Sequence, residues 1–219
     1  MKYILLENLA ILACSFVGFM TGRRYLNTRK GIFASMIVLG VFCFSLGRLF
    51  QCAYLWAGRS LTARFQVGAL GPLGAFAFFF SANFGQIDSL VDDGGRAFKK
   101  YRIVALTALL YVVAMMAIIV MSPASASYKI ICGINSFVIG AACYYHVKHL
   151  FIPDVDYGAV RCLRGFNALA VVLSVLTMLE MIALAWNLEM LLYASGAGLC
   201  VVTLALVPVM DRGVKKWRT

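Results

Sequence analysis

Residues 32–57 read IFASMIVLGVFCFSLGRLFQCAYLWA, an apolar run of 26 residues in which Arg48 is the single charged side chain. A helix of this length spans about 39 Å, which exceeds the roughly 30 Å of hydrocarbon in a bilayer. The apolar character is continuous rather than alternating, which excludes a strand of a membrane barrel. The segment is therefore predicted to be a transmembrane helix.

Six other segments are apolar over a similar length. The predicted helices cover residues 3–22, 32–57, 64–86, 102–122, 128–150, 159–186 and 189–210. Apolar residues make up 63% of the chain and charged residues 13%, whereas soluble domains have about 45–50% and about 25%. Residues 1–219 are predicted to form one all-α integral membrane domain, a seven-helix bundle whose partner is the lipid bilayer.

The basic residues between the helices predict the orientation of this bundle. Four segments on one side carry fifteen of the 20 Lys and Arg residues, whereas the opposite side carries four. Cytoplasmic loops collect Lys and Arg, so we expect the N-terminus outside and the C-terminus in the cytoplasm. The net charge of +11 comes from these separate clusters rather than from one patch, which argues against a nucleic-acid partner.

Three charged residues fall within predicted helices: Glu7, Arg48 and Glu180. All three are expected in the outer half of the bilayer, about 6–12 Å below its outer boundary. A charged side chain in the membrane is costly unless it faces the bundle interior and finds a partner. We therefore predict that Arg48 pairs with Glu7 or Glu180.

Other polar side chains are expected at a similar depth and would form a ligand pocket that opens outside. The predicted ligand-binding residues are Glu7, Arg48, Gln51, Gln66, Asn135 and Glu180, with Asn8 nearby. Aromatic walls would come from Tyr54, Trp56, Trp186 and Tyr193. The alternative is a structural ion pair that locks three helices, with these aromatic residues in the interfacial belt.

The inner side offers fewer signals. The acidic turn that begins at Asp92 is expected to be a solvated loop. His146 and His149 share a helical face, but no third ligand lies near them, so no metal or other cofactor is expected. The seven cysteines show no metal-site spacing. No motif of a known enzyme class is present, and we do not expect an enzyme.

Small residues predict close packing of helices. Gly18 and Gly22 form a GxxxG pattern, and Gly68, Gly71 and Gly74 would line one side of the third helix. Pro72 lacks a backbone donor, so the third helix should bend or widen near it.

The segment from Val41 to Gln86 reads VFCFSLGRLFQCAYLWAGRSLTARFQVGALGPLGAFAFFFSANFGQ. It resembles the second and third helices of the seven-helix N-terminal sensor region of bacterial histidine kinases and diguanylate cyclases. The residues that carry the resemblance are Arg64, Phe65, Gln66, Gly68 and Pro72, in about a fifth of the chain. The resemblance implies a sensor in a bacterial inner membrane. Because no output domain follows Trp217, we expect it to signal to a separate protein.

The leading functional expectation is thus a receptor-like module that binds a small or lipidic ligand from the outer side. It would signal to a cytoplasmic or membrane partner through its basic loops and tail. A small-solute transporter that uses the same polar cluster is one alternative. A structural subunit of a membrane complex is the other.

Overall fold

A computed structural model describes residues 2–26, 31–88, 91–92, 94–153 and 158–218. Arg29 and Lys30 of the basic set and Asp93 of the acidic turn lie outside these residues. Seven helices in the described part are long and apolar enough to cross a membrane, as predicted. The α-helices are α1 (Lys2–Gly22), α2 (Ile32–Trp56), α3 (Leu70–Ala82), α4 (Lys99–Val120), α5 (Ala126–Phe151), α6 (Ala159–Trp186) and α7 (Glu189–Arg218). The third span is longer than α3 and runs over Val67–Asp88.

The helices pack in a closed ring. Helix α1 lies between α2 and α7, α2 packs on α3, α3 on α5, α5 on α6, and α6 on α7. Helix α4 packs against α5 and α6 and lies outside this ring. We call the end with residues 57–66 the outer end, after the orientation predicted from the basic residues, and the opposite end the inner end.

The third predicted helix differs from expectation at both of its ends. It begins with a 3-10 turn, Val67–Ala69, and Pro72 lies in the first turn of α3. A helix leaves its first amide groups unpaired, so the missing donor of Pro72 costs little there. Near Pro72 the helix thus begins with a narrower 3-10 turn, where a bend or a widening was expected. It widens at the inner end instead, where Asn83–Asp88 form a π-helix.

Helix α7 extends beyond its predicted end at residue 210 and contains Pro208 in its interior. The extension is held by packing, because Met210 and Val214 are buried in the core. Asp211 also pairs with Lys215 one turn later, at 2.9 Å. These contacts explain how the helix continues through the charged segment that was predicted to be a tail beyond the seventh helix.

Glycines bring α2 and α3 together at the outer end. A Cβ at Gly47 would lie 2.6 Å from the Cα of Gly71, and a Cβ at Gly71 would collide with Gly47 in return. Two backbones in direct contact require glycine at both positions. The contact lies one residue from Arg48 on α2, so the glycines fix where this arginine meets its neighbours.

Candidate functional site

A buried ion pair joins α2 to α6 near the outer end. Arg48 is 2% exposed, and both of its terminal nitrogens donate to the two carboxylate oxygens of Glu180, one of them at 2.5 Å. The bidentate geometry matches a planar guanidinium to a carboxylate. The predicted pairing of Arg48 with an acid inside the bundle is confirmed, and of the two candidate acids it is Glu180.

Two amide side chains share the same guanidinium. The Nη1 atom of Arg48 also donates to Asn8 Oδ1 and to Gln51 Oε1, each at 3.2 Å. The ring of Phe44 lies 4.8 Å from the guanidinium carbon. The arginine thus holds α1, α2 and α6 together through Nη1 and through one N–H group of Nη2.

A cavity adjoins this ion pair on the side of α3, α5 and α6. Among its lining residues are five of the polar residues predicted from the sequence: Arg48, Gln51, Gln66, Asn135 and Glu180. The space open to the centres of water molecules is about 30 Å³. One water needs about 10–15 Å³ by this measure, so the cavity admits two or three waters or a ligand of similar size.

The aromatic residues of the cavity are not those predicted. Tyr54, Trp56, Trp186 and Tyr193 do not line it, and Trp56 is 82% exposed. Tyr128 of α5 lines the cavity, and its hydroxyl donates to the backbone oxygen of Met181 at 3.0 Å. The spacing of residues 128, 131, 132 and 135 places them on one helical face. This spacing was the signal that could have identified Tyr128.

Glu7 does not line the cavity, in contrast to the sequence-based prediction. Its carboxylate lies against Gly196, and neither oxygen has a hydrogen-bond partner among the described residues. Asn8, the next residue along α1, does contact Arg48. Depth along the helix placed Glu7 near the ion pair, but the helical phase turned it toward α7.

Several cavity residues keep polar atoms without partners in the described part of the chain. These atoms are Asn135 Oδ1, Gln66 Oε1 and Arg48 Nε, and all are buried. The amide nitrogen of Asn135 donates to the backbone oxygens of Ala69 at 3.1 Å and Ile131 at 2.9 Å. Two acceptors around that nitrogen fix the amide orientation, which leaves the Asn135 oxygen as the unpartnered atom.

A second space lies above the cavity at the outer end. It is lined by Ser60 and Thr62 of the 57–66 connection and by Asn187. Leu61 and Leu184 line both spaces, and Leu61 is buried. These two leucines therefore separate the polar cavity from the wider outer space.

A network of amides and histidines lies at the inner end of the same helices. Asn83 of the π-helix contacts His146 Nδ1 at 2.6 Å and donates to Asn167 Oδ1 at 3.1 Å. His149 Nδ1 lies 3.3 Å from Asn83 Oδ1, and its Nε2 lies 3.1 Å from Asp88. These contacts join the inner ends of α3, α5 and α6.

The acidic turn is part of this network, so the expectation of a solvated loop is wrong. Lys148 is 3% exposed and lies 2.6 Å from both Asp88 and Asp92. Arg102 donates to both oxygens of Asp92, at 2.8 and 2.5 Å. The Arg102 hydrogen bonds, with those from Lys148 and the Gly94 amide, hold the pKa of the Asp92 carboxyl well below its usual range. Sequence distance hid these pairs, because Lys148 follows Asp92 by more than fifty residues.

No group of three or more His, Cys, Asp or Glu side chains in the described ranges is placed to hold a metal ion. The outer cavity is lined by charged and hydrogen-bonding side chains together with Cys132.

The fold and site define an all-helical protein of the multi-pass membrane type, with an ion pair beside a small polar cavity. Comparison of the chain with family models, with curated proteins and with solved structures found no match.

Proposed function

We propose that the chain is a receptor-like membrane sensor that binds a small polar ligand in the cavity beside Arg48 and Glu180. The N-terminus and the cavity face outside, and the C-terminus is cytoplasmic. The lead observation is a cavity lined by Asn135, Gln66 and Arg48, each of which keeps a buried polar atom without a partner among the described residues. Buried polar atoms without partners are costly, and a ligand that satisfies them recovers part of that cost.

The volume of the cavity limits the size of the ligand that it can hold. A space for two or three waters excludes a lipid chain unless the helices separate, so the small ligand is favoured over the lipidic one. The open space nearer the outer end supports entry from outside.

A packed apolar layer favours a sensor over a transporter. His146 follows Asn135 by 11 residues on α5, which is about 16 Å along the helix. Between these levels lie Phe76, Ile139 and Leu173, each at most 1% exposed. A transported solute would have to displace these side chains. A small movement of α5 and α6 at the outer end, by contrast, would be transmitted to the inner end, because a close-packed interior is not readily compressed.

The inner network is the proposed receiver of this shift. It contacts the same helices, α5 and α6, that line the outer cavity. The basic segments at the inner end would then present the change to a separate cytoplasmic or membrane partner. The resemblance of residues 41–86 to bacterial sensor regions agrees with this role and with a bacterial inner membrane.

The first experiment tests outward access at Ser60, an exposed residue that lines the outer space. Intact cells that carry Ser60→Cys are treated with the impermeant reagent sulfonatoethyl methanethiosulfonate, and the unsubstituted protein is the control. We expect labelling of the introduced cysteine from outside. Labelling only in inverted membrane vesicles would contradict the proposed orientation.

The second experiment tests coupling between the two ends. Methyl methanethiosulfonate adds a small S-methyl group to Cys132, and amide hydrogen exchange is measured over Asn83–Asp88. A sensor predicts altered exchange in the π-helix, with no change in the treated Cys132→Ser variant. Unaltered exchange would favour the structural-subunit alternative.

A further inference from the structure

The connection between α2 and the third span, residues 57–66, carries a buried leucine among exposed neighbours. Leu61 is 4% exposed, whereas residues 57–60 and 63–65 are all exposed. Leu61 lines both the polar cavity and the outer space, which offers about 200 Å³ to the centres of water molecules. Leu184 lines both from α6, one helical turn beyond Glu180. Leu61 therefore blocks the opening between the two spaces.

Few bonds attach this connection to the rest of the bundle. Residues 57–66 form no helix or strand. Within the described ranges one hydrogen bond joins them to another helix, from Ser125 Oγ at the start of α5 to the backbone oxygen of Thr62, at 2.7 Å. Segments with few buried contacts are those that open locally at a low cost in free energy. The connection is thus suited to opening while the helices stay packed.

The two ends of the connection are also suited to such a movement. Gly58 has a φ of 74°, which glycine adopts without strain, and a Cβ there would meet no atom within 4 Å. Hinges are commonly a few element-terminal residues that absorb changes in backbone angles. At the other end Gln66 is buried and lines the cavity. A ligand that contacts Gln66 therefore acts on the segment that carries Leu61.

We propose that residues 57–66 are a lid on the outer cavity, and that Leu61 is the side chain that closes it beside Leu184. This inference rests on the proposed function and describes how its site is reached. When the Ser125 bond breaks and the connection turns about Gly58, the cavity joins the outer space. A ligand that contacts Gln66 in the closed form shifts the population toward that form.

The reactivity of Cys132 measures the opening of the lid, because this cysteine lines the cavity and is 2% exposed. The full-length protein in lipid nanodiscs is treated with methyl methanethiosulfonate, and the reaction is followed by mass spectrometry of the Cys132 peptide. The reagent is larger than the two or three waters that the closed cavity admits, so the reaction requires opening. Cys143 lies further along α5 and is equally buried, so its reaction reports loosening of the whole bundle.

Leu61→Ala should raise the rate at Cys132 about 10–100-fold and leave the rate at Cys143 unchanged, because it removes the blocking side chain. Leu55→Ala is the matched control, since Leu55 is equally buried but lines only the outer space of the two. It should leave the rate at Cys132 close to that of the wild type. An unchanged rate in Leu61→Ala, or equal rates in the two variants, would overturn the proposal. Parallel increases at Cys132 and Cys143 would overturn it too.

Ser125→Asp tests the hydrogen bond that holds the lid. The aspartate still accepts from the Tyr128 amide as the N-cap of α5, but it has no proton to donate to Thr62. The rate at Cys132 should rise about 3–10-fold. Ser60→Asp is the control and should leave the rate unaltered, because Ser60 bonds to Thr62 within the connection itself. Equal rates in these two variants would contradict the lid.

Failure of the lid and failure of the sensor give different results. If neither lid variant accelerates Cys132, while Ser60→Cys is labelled from outside and modified Cys132 alters exchange in the π-helix, the lid is wrong and the sensor stands. If both lid variants accelerate Cys132 but exchange over Asn83–Asp88 stays unaltered, the cavity opens as proposed and the sensor is contradicted.

Discussion

The outer site and the inner network are both buried clusters of charge, but they distribute their bonds differently. At the outer site Arg48 forms an ion pair with a single acid among the described residues, Glu180. At the inner end Lys148 lies between Asp88 and Asp92, and Asp92 also binds Arg102. Each inner acid thus keeps a partner when one bond is lost, whereas the outer pair has no substitute.

The unpartnered atoms differ as well. Those of the outer site belong to residues that line a cavity. At the inner end His146 Nε2 and Asn167 Nδ2 are unpartnered within the described ranges, and the ring of this histidine packs against Phe79 and Phe166. A packed, cross-connected cluster is suited to bracing helices, and a sparse one beside a cavity is suited to binding. The predictions below test this contrast.

Glu180→Leu should have the largest effect, because it leaves the Arg48 guanidinium buried without an acid. Breaking a buried pair from one side costs about 3–5 kcal/mol. The free energy of unfolding, measured by denaturation in mixed micelles, should fall by about that amount. The double variant Arg48→Met with Glu180→Leu should regain most of the loss, because it removes both charges. If the single and double variants were equally unstable, the pair would not be the cause.

Lys148→Met should have a smaller effect at the inner end. The variant loses two ion pairs, but Arg102 still binds Asp92 and His149 still contacts Asp88. Hydrogen bonds to charged groups contribute about 1.5–3 kcal/mol, and we expect a loss within that range. The same denaturation measurement applies. A loss larger than that of Glu180→Leu would reverse the proposed contrast between the two clusters.

Acid should weaken the inner network through Asp92. Its pKa is depressed in the folded protein, chiefly by the Arg102 hydrogen bonds, below an ordinary value of about 3.9. The stabilisation is complete above the ordinary pKa and is lost as the pH falls through the depressed one. Below about pH 4, the unfolding free energy of Arg102→Gln should therefore fall less steeply than that of the wild type. Parallel pH profiles of the two proteins would contradict this assignment.

The sequence was sufficient to predict the seven helices, because each is recognised from the length of its own apolar run relative to the thickness of the hydrocarbon layer. It was also sufficient to pair Arg48 with an acid, because an isolated charge in the membrane is costly. Choosing Glu180 over Glu7 required the rotation of each helix about its axis. That rotation depends on contacts such as Gly47 against Gly71, which a single sequence does not specify.

The inner network was missed for a related reason. Asp92 and Lys148 belong to segments far apart in the chain, and each alone has the composition of a solvated loop or helix end. Their pairing depends on the π-helix that ends at Asp88 and on the packing of α3 against α5. Tyr128 was missed because depth along a helix does not specify which helical face a residue occupies.

Lys215→Met should have the smallest effect and provides the baseline for both clusters. Lys215 pairs with Asp211 one helical turn away at 2.9 Å, but its side chain is 64% exposed. Exposed pairs of this spacing contribute about 0.3–0.5 kcal/mol, because water screens the charges and the long side chain loses freedom. Asp211 also retains Arg24 and Tyr25 as partners. The unfolding free energy of Lys215→Met should stay within about 0.5 kcal/mol of the wild type. A loss as large as that of Lys148→Met would mean that burial does not distinguish the inner network from an ordinary surface pair, and the network would then lose its proposed role as a brace.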